Sequence, residues 1–283
     1  MATCVRMQTK VEDAIRKCLA KNEKALITFV TGGFPSVGYT VAVVETMIEA
    51  GADVVEIGIP FSDPLADGRT IQNANTLALM AGTRTSDIFD AVSRVRADGY
   101  SAPLVLLAYI NTIYRFGIKR FLNECARARV DGLIIPDLPP EERHLLNGEA
   151  GSGGQAGWRD SLALIPMAAP TTSDDRIDAI LEGGAGFVYC VSTTGVTGVR
   201  KGLPLGVVEL VSRVRARTDL PVAIGFGIGD AASASEAAAV ADAVIVGSGI
   251  VQTIQDTLEQ SDEAASLLAV GRLVAELKAA LRS

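Results

Sequence analysis

Val54 to Gly68 read VVEIGIPFSDPLADG. Val54, Val55, Ile57 and Ile59 are strand formers, and Pro60, Pro64 and Gly68 then break the chain, so the stretch reads as a buried strand running into a loop. Glu56 stands in the middle of the apolar run. A carboxylate in a buried strand is costly unless it is paired or used. Two readings follow: an ion pair with a buried lysine or arginine, or a functional group. Asp63 and Asp67 come next, in SDP and ADG, which are also ordinary turn formers.

Outward from this stretch the same alternation repeats. ALITFVT, VVEIG, PLVLLAY, GLIIP, LALIPM, GFVYCV, PVAIGFG and AVIVG read as strands. Between them, segments such as YTVAVVETMIEA, TSDIFDAVSRVRA, IKRFLNECARA and LGVVELVSRVRARTD carry apolar residues at helical spacing. About eight β–α units without a break in composition predict a (β/α)8 TIM barrel. A doubly wound sheet is the alternative, with fewer strands or a second domain at this length. A helix over 11–20 precedes the first strand and one over 264–281 follows the last, so we expect one barrel domain spanning 1–283. The Gly-rich EAGSGGQAG, 149–157, is expected to be a surface insertion on the bottom face, and Trp158 beside it a structural residue.

Composition narrows the function. The chain has 283 residues, 48% of them hydrophobic, and a net charge of -7, with a mean hydropathy of +0.30. That is ample for a large core, and without a basic block nucleic acid is not expected as a partner. No apolar run is long enough to span a bilayer and the N-terminus lacks a signal core, so a cytoplasmic protein is expected. Cys4, Cys18, Cys125 and Cys190 are scattered without a C-x-x-C pair, which argues against a disulfide frame or a zinc site. The single histidine, His144, lies in the acidic PPEERHLLNG and is expected to be exposed. Histidine-based triads and metal sites lose support, and acid–base work falls to carboxylates and tyrosines.

Strand alternation places Val54, Glu56 and Gly58 on one face, with Val55 and Ile57 toward the helices. If that face is the barrel interior, Glu56 lies near the C-terminal end of its strand, where barrel active sites are built. Ile27 with Phe29, Leu107 with Tyr109, and Phe187 with Tyr189 complete an apolar, aromatic-walled cup. Burial is expected to raise the Glu56 pKa, while solvent and turn amides keep Asp67 ionised. Each tyrosine could orient substrate with its hydroxyl, but taken alone reads first as packing. Three Gly-rich loops follow late strands: STTGVTG (192–198), GFGIG (225–229) and GSGI (247–250). GSGI opens what reads as a short helix, whose N-terminus favours a phosphate. GFGIG lacks the third glycine of a dinucleotide fingerprint. Arg213, Arg215 and Arg217 read as a solvated helix face.

PFSDPLADG, TIQ, VSTTGVTG and GFGI followed by GS resemble the tryptophan synthase α subunit, from about Ala25 to Val251. IIPDLPPEE and GFVYCVSTTGVTG are most similar to the α portion of the fused fungal enzymes. The resemblance implies cleavage of indole-3-glycerol phosphate to indole and glyceraldehyde 3-phosphate. It implies Glu56 and Asp67 as the catalytic carboxylates, Thr197 as a loop residue that orients the aspartate, and Tyr189 as the active-site tyrosine. Phe29, Leu107 and Phe226 would wall the indole, with Tyr109 on the same substrate-binding cup. Gly198, Gly227, Gly247 and Ser248 would cradle the phosphate. It implies no metal and no cofactor in this chain, with PLP only on a β partner in an α2β2-type assembly. A free-standing lyase that releases indole, a weakly active allosteric barrel partner, and another phosphosugar barrel are the competing readings. Two departures fall at the active-site end. Arg69 follows Gly68 where the family has proline, which is expected to place a cation beside Asp67, and Asn111-Thr112 replaces an Asn-Pro pair.

Overall fold

The computed structural model describes residues 8–146, 162–191, 203, 205–225 and 227–282. All described strands belong to one parallel sheet: β1 (Ala25–Thr31), β2 (Val54–Gly58), β3 (Leu104–Leu107), β4 (Gly132–Ile134), β5 (Ala163–Leu164), β6 (Met167–Ala168), β7 (Val188–Val191), β8 (Val222–Gly225) and β9 (Ala243–Val246). Their order is β5-β4-β3-β2-β1-β9-β8-β7-β6. The two ends of that order, β5 and β6, are separated along the chain only by Ile165 and Pro166. Ile165 N–H donates to the Leu133 carbonyl (3.0 Å), and Tyr189 N–H donates to the Pro166 carbonyl (2.8 Å). The fifth barrel strand therefore pairs with β4 through its first half and with β7 through its second. Pro166 has no N–H to give a ladder, so the switch falls where a donor is missing. Nine segments make eight barrel strands, and the ring closes as the sequence predicts.

The helices are α1 (Lys10–Leu19), α2 (Val37–Glu49), α3 (Arg69–Met80), α4 (Thr85–Ala97), α5 (Ile110–Phe116), α6 (Ile118–Ala128), α7 (Asp174–Leu181), α8 (Leu205–Arg215), α9 (Ala231–Ala238), α10 (Ser248–Gln260) and α11 (Glu263–Ala280). Their starts follow the capping residues: Thr9, Ser36, Asp230 and Asp262 each accept an N–H of the first turn. Helix α3 begins directly after Gly68, and α10, expected to be short, runs for 13 residues. His144 lies exposed in a 3-10 turn, Pro140–Leu146.

A Cβ at Gly32 would meet Ile88 of α4 and Ile57, which marks these as the outer layer. Phe29, Thr31, Val54, Glu56 and Gly58 therefore face inward, and the register pairs Phe29 with Glu56 and Thr31 with Gly58. At the opposite end of the sheet one device recurs three times. Asp53, Asp131 and Asp242 each stand one residue before a strand. Each accepts the N–H at the start of a neighbouring strand: Leu26 (2.7 Å), Leu104 (2.9 Å) and Val222 (2.9 Å). Each also holds a cation: Lys278 (2.8 Å), Arg96 and Arg215 (2.7 Å). Arg213 and Arg217 likewise pair with Asp174 of α7. The expected solvated arginine face is instead a set of ties, because α8 packs beside α7 and the Asp242 turn.

Candidate active site

Glu56 is 1% exposed in the middle of β2. Neither carboxylate oxygen has a hydrogen-bond partner among the described residues, and no described lysine or arginine pairs with it. Burial alone pushes its pKa up to about 8. The ion-pair reading of this residue is thereby removed, and a neutral carboxylic acid stands inside the barrel at pH 7.

Asp67 reaches the same space from the loop after β2. The sequence reading of its surroundings needs correction. Burial pushes it up to about 6, while hydrogen bonding from Asn75 and Tyr109 holds it down. Solvent and turn amides do not set its charge, yet it remains mostly ionised at neutral pH. Asn75, 4% exposed in α3, donates Nδ2–H to Asp67 (3.3 Å) and to the Ile71 carbonyl (3.0 Å), and accepts the Phe61 N–H (3.3 Å). Gln72 Nε2–H donates to the Asp67 carbonyl (2.9 Å). Arg69 is exposed and makes no ion pair with Asp67; it does not contribute to the Asp67 charge balance. It is the first residue of α3, so the loop ends at Gly68.

Tyr109 accepts the Ala66 N–H on its hydroxyl (3.0 Å) and stacks on Phe61 at 5.0 Å. Its hydroxyl is turned to the loop that carries Asp67, so it acts there as a latch. Tyr189 rises from β7 into the interior: a Cβ at Gly225 would come 2.5 Å from its hydroxyl oxygen. Burial, then the Glu56 and Asp67 charges, push the Tyr189 phenol well above its ordinary value. The three groups thus share one field. Phe29 lies over Gly58, where a Cβ would come 2.8 Å from its ring, and beside Gly247. Leu107 pairs with Gly58 on the other side, 8% exposed.

The late loops approach one another backbone to backbone. A Cβ at Gly249 would sit 2.9 Å from the Gly229 Cα, so the loop after β8 and the start of α10 touch only because both residues are glycine. Gly227 has φ +64° with open space around it, so backbone conformation rather than crowding calls for glycine there. Gly247 and Ser248 open α10, whose Gln252 accepts the Thr70 hydroxyl of α3 (3.2 Å). Thr197, Gly198 and Phe226 lie outside the described residues, as do the 149–157 insertion and Trp158. Sequence reasoning missed Asn75. Its signal was position: in TIQNANTLALM, Ile71, Ala74, Asn75 and Ala78 form one helical stripe, so a polar residue on that stripe is buried with the core.

A closed β/α ring with a neutral buried acid, an ionised aspartate on the next loop and Gly-rich turns at the same end defines a (β/α)8-barrel enzyme with an acid–base site. The model of the family "Tryptophan synthase alpha chain" matches residues 15–282. The tryptophan synthase alpha chain of Alkalilimnicola ehrlichii is 44% identical over 260 residues, covering 92% of this chain and 92% of that one. That of Carboxydothermus hydrogenoformans is 43% identical over 244 residues, covering 86% and 88%. Among solved structures, a chain of Mycobacterium tuberculosis tryptophan synthase superposes with a TM-score of 0.84 at 35% identity, covering 98% of this chain and 100% of that one. The tryptophan synthase subunit alpha of Legionella pneumophila superposes at 0.84 with 31% identity, covering 97% and 99%. The chain belongs to the tryptophan synthase alpha chain family. It is a carbon–carbon lyase of tryptophan biosynthesis that cleaves indole-3-glycerol phosphate.

Proposed function

We propose that Glu56 and Asp67 divide the proton handling of this cleavage, and that one observation carries the assignment: an unpaired, fully buried carboxyl held near 8. Protonated Glu56 gives its proton to C3 of the indole ring, and positive charge develops on the indole nitrogen. Asp67, ionised, accepts the indole N–H as a hydrogen bond and stabilises that charge. Glu56, now a carboxylate, takes the proton of the side-chain hydroxyl next to the ring. The carbon–carbon bond breaks, its electron pair restores the aromatic ring, and the hydroxyl carbon becomes the aldehyde. Glu56 ends protonated, as it began.

In this reading Phe29, Leu107 and Phe226 wall the indole, Tyr189 orients substrate beside both carboxylates, and Tyr109 and Asn75 hold the Asp67 loop. Thr197 on the 192–198 loop orients the aspartate. Gly198, Gly227, Gly247 and Ser248 take the phosphate through backbone N–H groups and the α10 N-terminus. The reaction asks for no metal or organic cofactor; among the described residues no three His, Cys, Asp or Glu are placed to share a metal ion. We take 1–283 as one barrel unit, acting in the cytoplasm; no described helix is long and apolar enough to cross a membrane. A PLP-bearing β chain is the proposed partner. Leu65, 92% exposed on the Asp67 loop, and Tyr114, 50% exposed on α5, supply apolar contact at the mouth of the site.

A steady-state assay of indole release from indole-3-glycerol phosphate by the isolated chain tests the reading, repeated with a purified β chain added. The wild type is expected to release indole alone and faster with the partner. A wild-type chain that releases none in either condition would overturn it.

A further inference from the structure

We infer that Thr31 is a substrate-positioning residue whose hydroxyl holds a hydroxyl of the glycerol chain during cleavage. The inference rests on the proposed reading of the site and adds a residue to it. Thr31 is fully buried at the end of β1, and its hydroxyl has no hydrogen-bond partner among the described residues. An unpaired buried hydroxyl carries a desolvation penalty, so a native structure that keeps one calls for a reason.

Its position supplies the reason. Gly32, the next residue, points into the helix layer against Ile88, so Thr31 points into the barrel. It pairs with Gly58, one rung above the Phe29–Glu56 pair, roughly 6–7 Å nearer the mouth of the barrel. Gly58 brings no side chain to that rung. The sheet order places β1 between β2, which carries Glu56, and β9, which leads into Gly247 and Ser248. A substrate with its reacting carbon at Glu56 and its phosphate at the start of α10 must lay its connecting chain across the end of β1. Thr31 is the polar side chain that β1 presents there. The groups that this chain carries are hydroxyls, which can both donate to and accept from a threonine.

Thr28 provides an internal control. It is equally buried and equally unpaired, but alternation turns it outward to the helices, away from substrate.

The test compares Thr31→Val, Thr31→Ser and Thr28→Val, each with indole-3-glycerol phosphate and with indole-3-propyl phosphate, which lacks the chain hydroxyls. Thr31→Val keeps the shape, and removing an unpaired hydroxyl leaves thermal stability equal or higher. We expect kcat/KM for indole-3-glycerol phosphate to fall at least about tenfold, the size of one lost hydrogen bond in a closed site. Affinity for indole-3-propyl phosphate, measured by calorimetry, should stay within about twofold. Thr31→Ser should recover most of the loss, and Thr28→Val should change neither quantity. Unchanged kcat/KM in Thr31→Val, or an equal loss for both ligands, would overturn the inference. If Thr31→Val fails to fold, Thr31→Ala must show the same ligand-selective loss. Wild-type turnover is the reference throughout, so a failure of the proposed function appears there first and separately.

Discussion

Two carboxylates at opposite ends of the same sheet are buried almost equally and treated oppositely. Asp131, at the bottom, is 9% exposed and surrounded by donors: Arg96, Lys10 at 3.2 Å and the Leu104 N–H at 2.9 Å. Arg96 in turn gives three further N–H groups to the carbonyls of Arg129, Tyr100 and Ala102. Glu56, toward the top, is 1% exposed and has no hydrogen-bond partner among the described residues. The bottom pair is closed and holds strands and helices together. The top group is left without a hydrogen-bond partner among the described residues and keeps its proton. Burial by itself therefore says little about role in this barrel; the presence or absence of a partner decides it.

The largest effect should come from breaking the top. Glu56→Gln keeps the shape and removes the transferable proton, so kcat should fall by about 10²–10⁴-fold, read in the indole-release assay. Stability should move the other way. The Glu56 carboxyl titrates near 8 in the fold against an ordinary value of 4.5. Between those values the fold keeps a proton that the unfolded chain has released, so this group lowers stability as pH rises from 4.5 to 8. Glu56→Gln should therefore unfold at higher urea than wild type at pH 8.5, with the gap closing near pH 4.5. A variant less stable at pH 8.5 would mean that Glu56 has a partner after all.

Breaking the bottom should do the reverse. Asp131→Ala strands the buried Arg96 and is expected to cost about 3–5 kcal/mol in urea unfolding. Activity per folded molecule should stay within a factor of two of wild type. A selective loss of activity would show that the two ends are coupled.

A smaller effect sharpens the contrast within the top itself. Asn75 holds Asp67 below the value that burial alone would set. Removing it with Asn75→Ala should raise the Asp67 pKa and move the acid limb of kcat/KM upward from about 6, with a loss of a few-fold at pH 7. The alkaline limb, which reports loss of the Glu56 proton near 8, should not move. An acid limb that stays in place would assign it to another group.

What was legible in the sequence follows the same division. The inward face of β2 could be read because alternation is local, and Glu56 stood out as one charge among β-branched residues. The three aspartates before strands were in plain view as GADVV, RVDGL and VADAV, but their cations come from α11, α4 and α8, distant in the chain. The environment of Asp67 was misread because its burial depends on α3, a helix whose first turn follows the loop without a capping side chain. Arg69 was placed beside Asp67 because they are neighbours in sequence; in the fold it is exposed and adds nothing to the Asp67 charge balance. Pro166 was visible, but that it marks a change of pairing partner could be seen only with β4 and β7 in place.

That change of partner has a bearing on how other chains approach this one. An open sheet of nine strands would end in two edges, each a row of free N–H and C=O groups that invites a foreign strand. Here both ends are the two halves of a single strand, and even the junction is bonded: Ile165 N–H reaches β4 and the Pro166 carbonyl reaches β7. Among the described strands the ring offers no edge for augmentation, and self-association by strand addition has no template. Any protein that docks on this barrel must do so through loops and helices, among which the loop carrying Asp67 and Leu65 and the helix carrying Tyr114 expose apolar side chains.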